Sequence, residues 1–552
     1  MEIPAPLELA ARTERNKDTF LSSHGISILL ILITIAATLL RFHALANRGF
    51  WLDETFSATI SQDAFSRPFR INGESGIYML LYFVLLHCWM ALGDSEFVIR
   101  SLSVVCSVAT VPFTYALGSR LFGRKAGLIA AGLLALNAFH IRYAQEARTY
   151  ALVTLLSTIS TWLLIRNLQE RQRASWTLYG VFLALTTYSH FLALLIVFAH
   201  CVAIACLPPR TIPWKDLRRS TVVFVCLTLP MAVMVLLTAM KTPPASWTTT
   251  PDWSTVLHFF VLTAGNSGIL LLLLDAAVIA ALIFEAGHIW WRNGPSTENW
   301  PRVLVLLGFF LPVAIVLAVS EFHPLFVPRY LLPCLPAFLL AVSAGLTCIP
   351  SRSVAWTLGG AIFLLSLAAI PSCYDSRAFF FVEDWRAISS GIVDQAKPGD
   401  GISFYPQYAQ VPFEYYRARN KPAPGWPAAI VVDPSHQDDA TNSPSTFVGR
   451  SDKADLLTSR LWVVFYHPIP LSGEWRKNLR ANLTSWRTKG WPLLQAQEFP
   501  NVVVMLFGTS SATAVSPEKL PNLFETITVA SDINGVLESH PTAASQEPDH
   551  SR

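Results

Sequence analysis

The chain has 552 residues, 52% of them hydrophobic and only 14% charged, with a net charge of +4 and a mean hydropathy of +0.42. Soluble domains carry roughly 25% charged residues, so the composition argues against an ordinary soluble protein, and so small a net charge gives no basis for a nucleic-acid partner. The apolar residues come in blocks, the pattern of a polytopic membrane protein.

Residues 1–25 are mixed in charge, and no small-residue cleavage pattern follows the first apolar run. They read as a cytoplasmic segment ahead of a retained span. Apolar stretches then occupy 26–42, 77–92, 98–118, 126–139, 150–165, 176–188, 191–207, 220–239, 268–285, 303–319, 330–349 and 354–371. They form an α-helical membrane domain, 26–371, of about 11–13 spans. Basic loops at 166–173 and 208–219 belong on the cytoplasmic side, with further arginines at 292–302 and 350–353. The loop at 240–267, with one lysine, belongs outside, as do "WLDE", "IRYAQEARTY", "EFHPLFVPRY" and everything after residue 372. Three apolar segments between "WLDE" and "YAQE" cannot all cross if both motifs lie outside. One of 77–92, 98–118 and 126–139 therefore does not cross, which leaves an odd number of crossings.

Residues 372–510 read as a small extracytoplasmic α/β domain. "VEDWRAISSGIVDQA" is an amphipathic helix ended by "KPGD". "GISFYP", "LWVVFYH" and "NVVVMLFG" are strands, and "PFEYYRARN" and 473–488 are helical. Residues 511–552 lack periodicity and read as a disordered tail. The eight cysteines lie mostly in or beside apolar runs without a CxxC pair, as expected of buried free thiols.

Three polar clusters stand out against this background. Asp53 and Glu54 adjoin Phe50 and Trp51 at the membrane boundary. A helix starting near Leu52 would make Asp53 an N-cap; alternatively, one carboxylate is a general base for a hydroxyl. "HIRYAQEARTY" supplies Tyr143, Glu146 and Arg148: either a snorkelling helix end with an Arg142–Glu146 pair, or an acid with cations for an anionic group. "HPLFVPRYLLPCLP" puts Arg329 and Tyr330 at the mouth of a proline-containing span, where the guanidinium either snorkels or neutralises a phosphate. His190 lies in a short external turn. Acids and cations on one face of a multispanning protein point to a lipid-linked reaction. Its donor would be a polyprenyl phosphate whose leaving charge is met by cations.

"FWLDETFSA" resembles the acidic first-loop motif of the GT-C glycosyltransferases, in particular bacterial relatives of the protein O-mannosyltransferases and of the aminoarabinose transferases that modify lipid A. "GDSEFVIRSLS…RYAQEARTYAL", "YSHFLALL", "PRYLLPCLPAFLL" and "EDWRA…KPGDGISFYP" resemble later parts of the same family, so the likeness covers most of residues 26–420. It implies inverting transfer of a hexosyl or pentosyl group from a polyprenyl-phosphate sugar at the outer face of a bacterial inner membrane. The acceptor would be a lipid, polysaccharide or protein hydroxyl, with membrane lipid around the enzyme. Asp53, beside Glu54, matches the catalytic position; Glu146, Arg148 and Arg329 match substrate-binding positions, with Tyr143, His190 and Tyr330 beside them. No cofactor or structural metal is implied, though the carboxylates leave room for a loosely bound divalent cation. The chain departs from the family at "NGESGIYMLL", where relatives carry a His/Asn-Pro-Pro element; Glu74 or His87 are the candidates to replace it. A flippase of lipid-linked saccharides and an inactive family member are the alternatives.

Overall fold

Twenty residues from Ser23–Phe42 form α1. At 1.5 Å per residue this is about 30 Å, enough to cross the hydrocarbon core. Ile28, Ile31, Leu32, Ile35 and Leu39 point outward from it, as lipid-facing side chains do. The computed structural model describes residues 23–62, 79–170, 173–239, 250–374, 383–397, 400–405, 407–419, 460–466 and 492–508. The chain divides into two units, Met1–Asn47 with Phe56–Ala378, and Arg48–Thr55 with Phe379–Arg552.

In the first unit the helices follow in chain order as α2 (Leu52–Gln62, whose first four residues belong to the other unit), α3 (Leu80–Trp89), α4 (Glu96–Phe122), α5 (Arg124–Leu136), α6 (Ala138–Ala144), α7 (Tyr150–Glu170) and α8 (Arg173–Ser189). They continue as α9 (Leu194–Ala205), α10 (Trp214–Ala239), α11 (Trp253–Ala264), α12 (Ile269–Asn293), α13 (Trp300–Ser320), α14 (Leu335–Cys348) and α15 (Arg352–Ala368). Among the described residues eight helices are long and apolar enough to cross a membrane, or nine if α5 and α6 count as one bent span. The protein is a multi-pass membrane protein. Two stretches expected as spans are shorter here: Leu80–Leu92 and Phe191–Ala205 are apolar but brief. Within the loop expected at 240–267, Trp253–Ala264 is a helix capped by Asp252, whose carboxylate accepts the Thr255 N–H at 2.8 Å.

The expected helix at 126–139 breaks. Asn137 adopts an extended conformation, its Oδ1 accepts the His140 N–H at 3.0 Å, and the chain turns by 59° between α5 and α6. A break strands the last carbonyls of the first helix. Arg41, fully buried, donates to two of them, Leu134 O and Ala135 O, each at 3.0 Å, and to Ser107 Oγ at 2.7 Å. The Asn137 amide also donates to Thr263 O at 3.0 Å. Beyond α6, Gln145 donates to the carbonyls of Arg41 and His43 at 3.0 and 2.7 Å. The loop carrying Glu146 and Arg148 is thereby tied to the end of α1. A second irregularity precedes α14. Pro328, Pro333 and Pro336 remove amide donors, so Pro328–Cys334 winds as a 3-10 helix.

Among its described residues the second unit contains α16 (Trp385–Val393), α17 (Gln410–Arg419) and a four-stranded sheet in the order β1-β2-β4-β3, with β1 (Gly401–Tyr405), β2 (Arg460–Tyr466), β3 (Leu493–Phe499) and β4 (Val502–Gly508). β1 and β2 are parallel; β2–β4 and β3–β4 are antiparallel. The three expected strands are present, and β3 is an additional one. Its "LLQAQEF" is polar in the middle and only partly buried, so it lacks the apolar run that marks β2 and β4. Pro500 and Asn501 close the β3–β4 hairpin, with Asn501 at φ 59°, as a turn of this kind requires at its second central position. Segment 473–488, the N-terminal residues before 23, Glu74 and the tail from 511 lie outside the described residues.

All eight cysteines are free thiols, as expected, but only Cys106, Cys334 and Cys373 are buried; Cys88, Cys201 and Cys226 are exposed on their helices. An apolar helix face can meet lipid rather than protein, which burial in a core did not anticipate.

Candidate functional site

Five of the expected site residues converge on Tyr150, the first residue of α7. Arg329, in the 3-10 segment, donates from Nε to the Tyr150 hydroxyl at 3.0 Å. Its guanidinium lies 6.0 Å from the Tyr150 ring and 5.8 Å from that of Tyr330. Arg148 approaches the same Tyr150 ring at 6.0 Å, its Nη1 donating to Ser57 Oγ at 3.3 Å. Tyr143 meets Tyr150 edge-on with centroids 5.5 Å apart. His190 sits 6.3 Å from Tyr150 and 5.1 Å from Tyr330, while its Nδ1 accepts the Leu192 N–H at 3.3 Å. The 3-10 winding matters here. It turns Arg329 inward, to 6% exposure, where an arginine at the mouth of a regular helix would snorkel outward. Two guanidinium groups in an aromatic setting have the forked donors and ring contacts suited to binding an anion.

Glu146 lies beyond the end of α6 and pairs with Arg142 Nε at 3.5 Å, both side chains nearly fully buried. The i,i+4 pair expected on a helix surface is thus present, but inside the protein. His87, a candidate replacement in the departing segment, places Nδ1 2.7 Å from Ser61 O and ties α3 to α2.

Asp53 and Glu54 belong to the second unit. Leu52 opens α2, so Asp53 is inside the first turn and is not its N-cap. The capping is done by Glu54, whose Oε2 accepts the Trp51 N–H at 3.3 Å, the reach-back half of a capping box. Glu54 is buried, whereas Asp53 is partly exposed. Neighbours in the same unit fix this segment: the Tyr416 hydroxyl is 2.6 Å from the Phe50 nitrogen, and the Trp385 N–H donates to Phe50 O at 3.3 Å.

Two residues important to this geometry carried no role in the sequence reading. Tyr150 reads as the start of an apolar span, and only its convergence with Arg329, 179 positions away, marks it. Glu383 precedes Asp384, which caps α16 by accepting the Ala387 N–H at 3.0 Å; an acidic pair before a helix reads as capping alone. Glu383 is buried, and its Oε2 accepts the Leu52 N–H at 3.4 Å. Burial, with the nearby charge of Asp53 adding to it, raises its pKa to about 7.

Residues 79–238 match the family model of the dolichyl-phosphate-mannose-protein mannosyltransferases. Comparison with curated protein sequences finds no match. Among solved structures, ArnT from Cupriavidus metallidurans in the apo state is similar with a TM-score of 0.56 at 11% identity, covering 88% of this chain and 98% of that one. The same protein bound to undecaprenyl phosphate gives 0.55 at 11%, covering 90% and 100%. The oligosaccharyltransferase AglB from Archaeoglobus fulgidus, in complex with an inhibitory peptide and a dolichol-phosphate, gives 0.53 at 11%, covering 88% and 74%.

Proposed function

We propose that this chain, a GT-C superfamily member related to the mannosyltransferases and to ArnT, transfers a sugar from a polyprenyl-phosphate donor to an acceptor hydroxyl at the non-cytoplasmic face of a bacterial inner membrane. The observation that carries this reading is the convergence of Arg148 and Arg329 on Tyr150. Two similar structures hold polyprenyl monophosphates, undecaprenyl phosphate in ArnT and dolichol-phosphate in AglB, and an arginine pair is suited to that group.

Asp53 accepts the proton of the acceptor hydroxyl as its oxygen attacks the anomeric carbon. The bond from that carbon to the phosphate oxygen breaks, the configuration inverts, and the phosphate leaves with the bonding electrons. Arg148 and Arg329 stabilise the charge it gains. Tyr143, His190 and Tyr330 supply apolar and aromatic surface to the sugar-phosphate. Glu146, held by Arg142, orients the sugar. Glu54 keeps the first turn of α2 in place behind Asp53. The leaving group is already a good one, so the chemistry calls for no redox cofactor or resident metal, and a weakly held divalent cation at the carboxylates is compatible with it. The C-terminal unit lies outside the membrane and bears on acceptor choice.

The test is transfer of label from radiolabelled polyprenyl-phosphate sugars in membranes containing the wild type, Asp53→Asn or Arg329→Ala, with matched protein amounts. Asp53→Asn should abolish transfer while donor binding persists, and Arg329→Ala should weaken donor binding. Undiminished transfer by Asp53→Asn would remove the base from the scheme.

A further inference from the structure

We propose that Glu383 is the positioning residue of the Asp53 site, holding the first turn of α2 against the β3–β4 hairpin and coupling its own proton to the charge on Asp53. The proposal rests on Asp53 acting as the base. Its geometry comes entirely from the second unit. Glu383 Oε2 accepts the amide of Leu52, the residue before Asp53, and Oε1 accepts from Asn501 Nδ2, each at 3.4 Å. Tyr466 of β2 also faces it. Asn501 owes its position to the left-handed conformation that closes the hairpin, so one carboxyl clamps a helix start to a tight turn.

Among the described residues, the titratable groups facing Glu383 are Asp53 from α2 and Tyr466 from β2. Tyr408 lies behind Tyr466, with ring centroids 5.9 Å apart. Asp384, next in the chain, is turned away to cap α16. Burial governs Glu383, and the charge of Asp53 adds to the effect. A carboxyl buried beside a like charge keeps its proton to higher pH, and Glu383 is the buried one here. When Glu383 does ionise, it places a second negative charge beside the start of α2, so a step carried by Asp53 should follow the Glu383 proton.

The sign for stability follows from the same shift. A carboxyl whose folded pKa is raised favours the folded state below its unfolded value. That contribution is lost as pH rises from about 4.5 through about 7.

The experiment uses the full-length protein and has two arms. Sugar transfer in membranes is followed from about pH 5.5 to 8.5 for the wild type, Glu383→Gln and Glu383→Ala. The wild-type rate should rise through an inflection near pH 7. Glu383→Gln, which keeps an oxygen for Leu52, should retain transfer without the inflection, and Glu383→Ala should lose most activity across the range. A Glu383→Gln profile superimposable on the wild type overturns the proposal. In the second arm the thermal midpoint in detergent is read against pH, with no need for activity. The wild type should lose stability over the window above, Glu383→Gln should lose less, and Asp53→Asn should move the window to lower pH. An unmoved window in Asp53→Asn overturns the coupling. Undiminished transfer by Asp53→Asn instead strikes at the base assignment, so the two failures are distinguishable.

Discussion

The Tyr150 hydroxyl is a 3.0 Å acceptor for a buried guanidinium, and hydrogen bonds to charged groups contribute about 1.5–3 kcal/mol. Tyr150→Phe keeps the ring against which Arg148 and Arg329 rest but removes that acceptor. The KM for the donor should rise about tenfold, with the protein still folded, as measured by transfer kinetics over a donor series. A larger loss of kcat than of affinity would place the hydroxyl in the chemistry instead. At this scale the sequence was half legible. Arg148 and Arg329 stand out because a charge near an apolar run needs a reason. Tyr150 and Glu383 do not stand out, because a tyrosine at a span start and an acid before a helix have ordinary explanations. Their importance lies in partners far along the chain. Asp53 shows the opposite error of emphasis: the cap assigned to it as one alternative is supplied by Glu54 one residue later.

At the level of elements, the break at Asn137 fixes the loop that carries Glu146 and Arg148. Asn137→Ala removes the cap of α6 and the bond to Thr263 O, and cap loss costs about 1 kcal/mol. The thermal midpoint should fall by a few degrees. Transfer should fall further than stability does, because the loop is released at one end; equal activity per folded molecule would show that the loop does not depend on the break. The break was not readable in advance, since a lone Asn within "AGLLALNAFHI" hardly interrupts an apolar run. The 3-10 segment was partly readable, because its prolines announce a kink but not the winding that turns Arg329 inward. Strands β2 and β4 are continuous apolar runs and could be recognised. Among the described residues β3 is an edge strand held by β4 alone, and edge strands tolerate polar residues that erase their signature.

At the scale of the whole molecule, the exposed thiols test which surface meets lipid. Cys201 and Cys226 are exposed on the apolar helices α9 and α10. In intact membranes both should resist a charged, water-soluble maleimide and react with a lipid-soluble one, as read by mass spectrometry of the labelled protein. Rapid reaction with the charged reagent would put these helices against water. The blockwise composition made the membrane class legible, because hydrocarbon demands long apolar helices. It did not give the number of crossings, since short apolar helices obey the same composition rule. The Arg329–Tyr150 bond spans 179 residues, and this separation has a consequence in time. At synthesis rates of about 5–20 residues per second, the ribosome makes Arg329 about 10–40 s after Tyr150. The aromatic cluster around Tyr150 and Tyr143 is therefore made before Arg329. A nascent chain cannot bring both arginines to Tyr150 until most of its helices have been inserted.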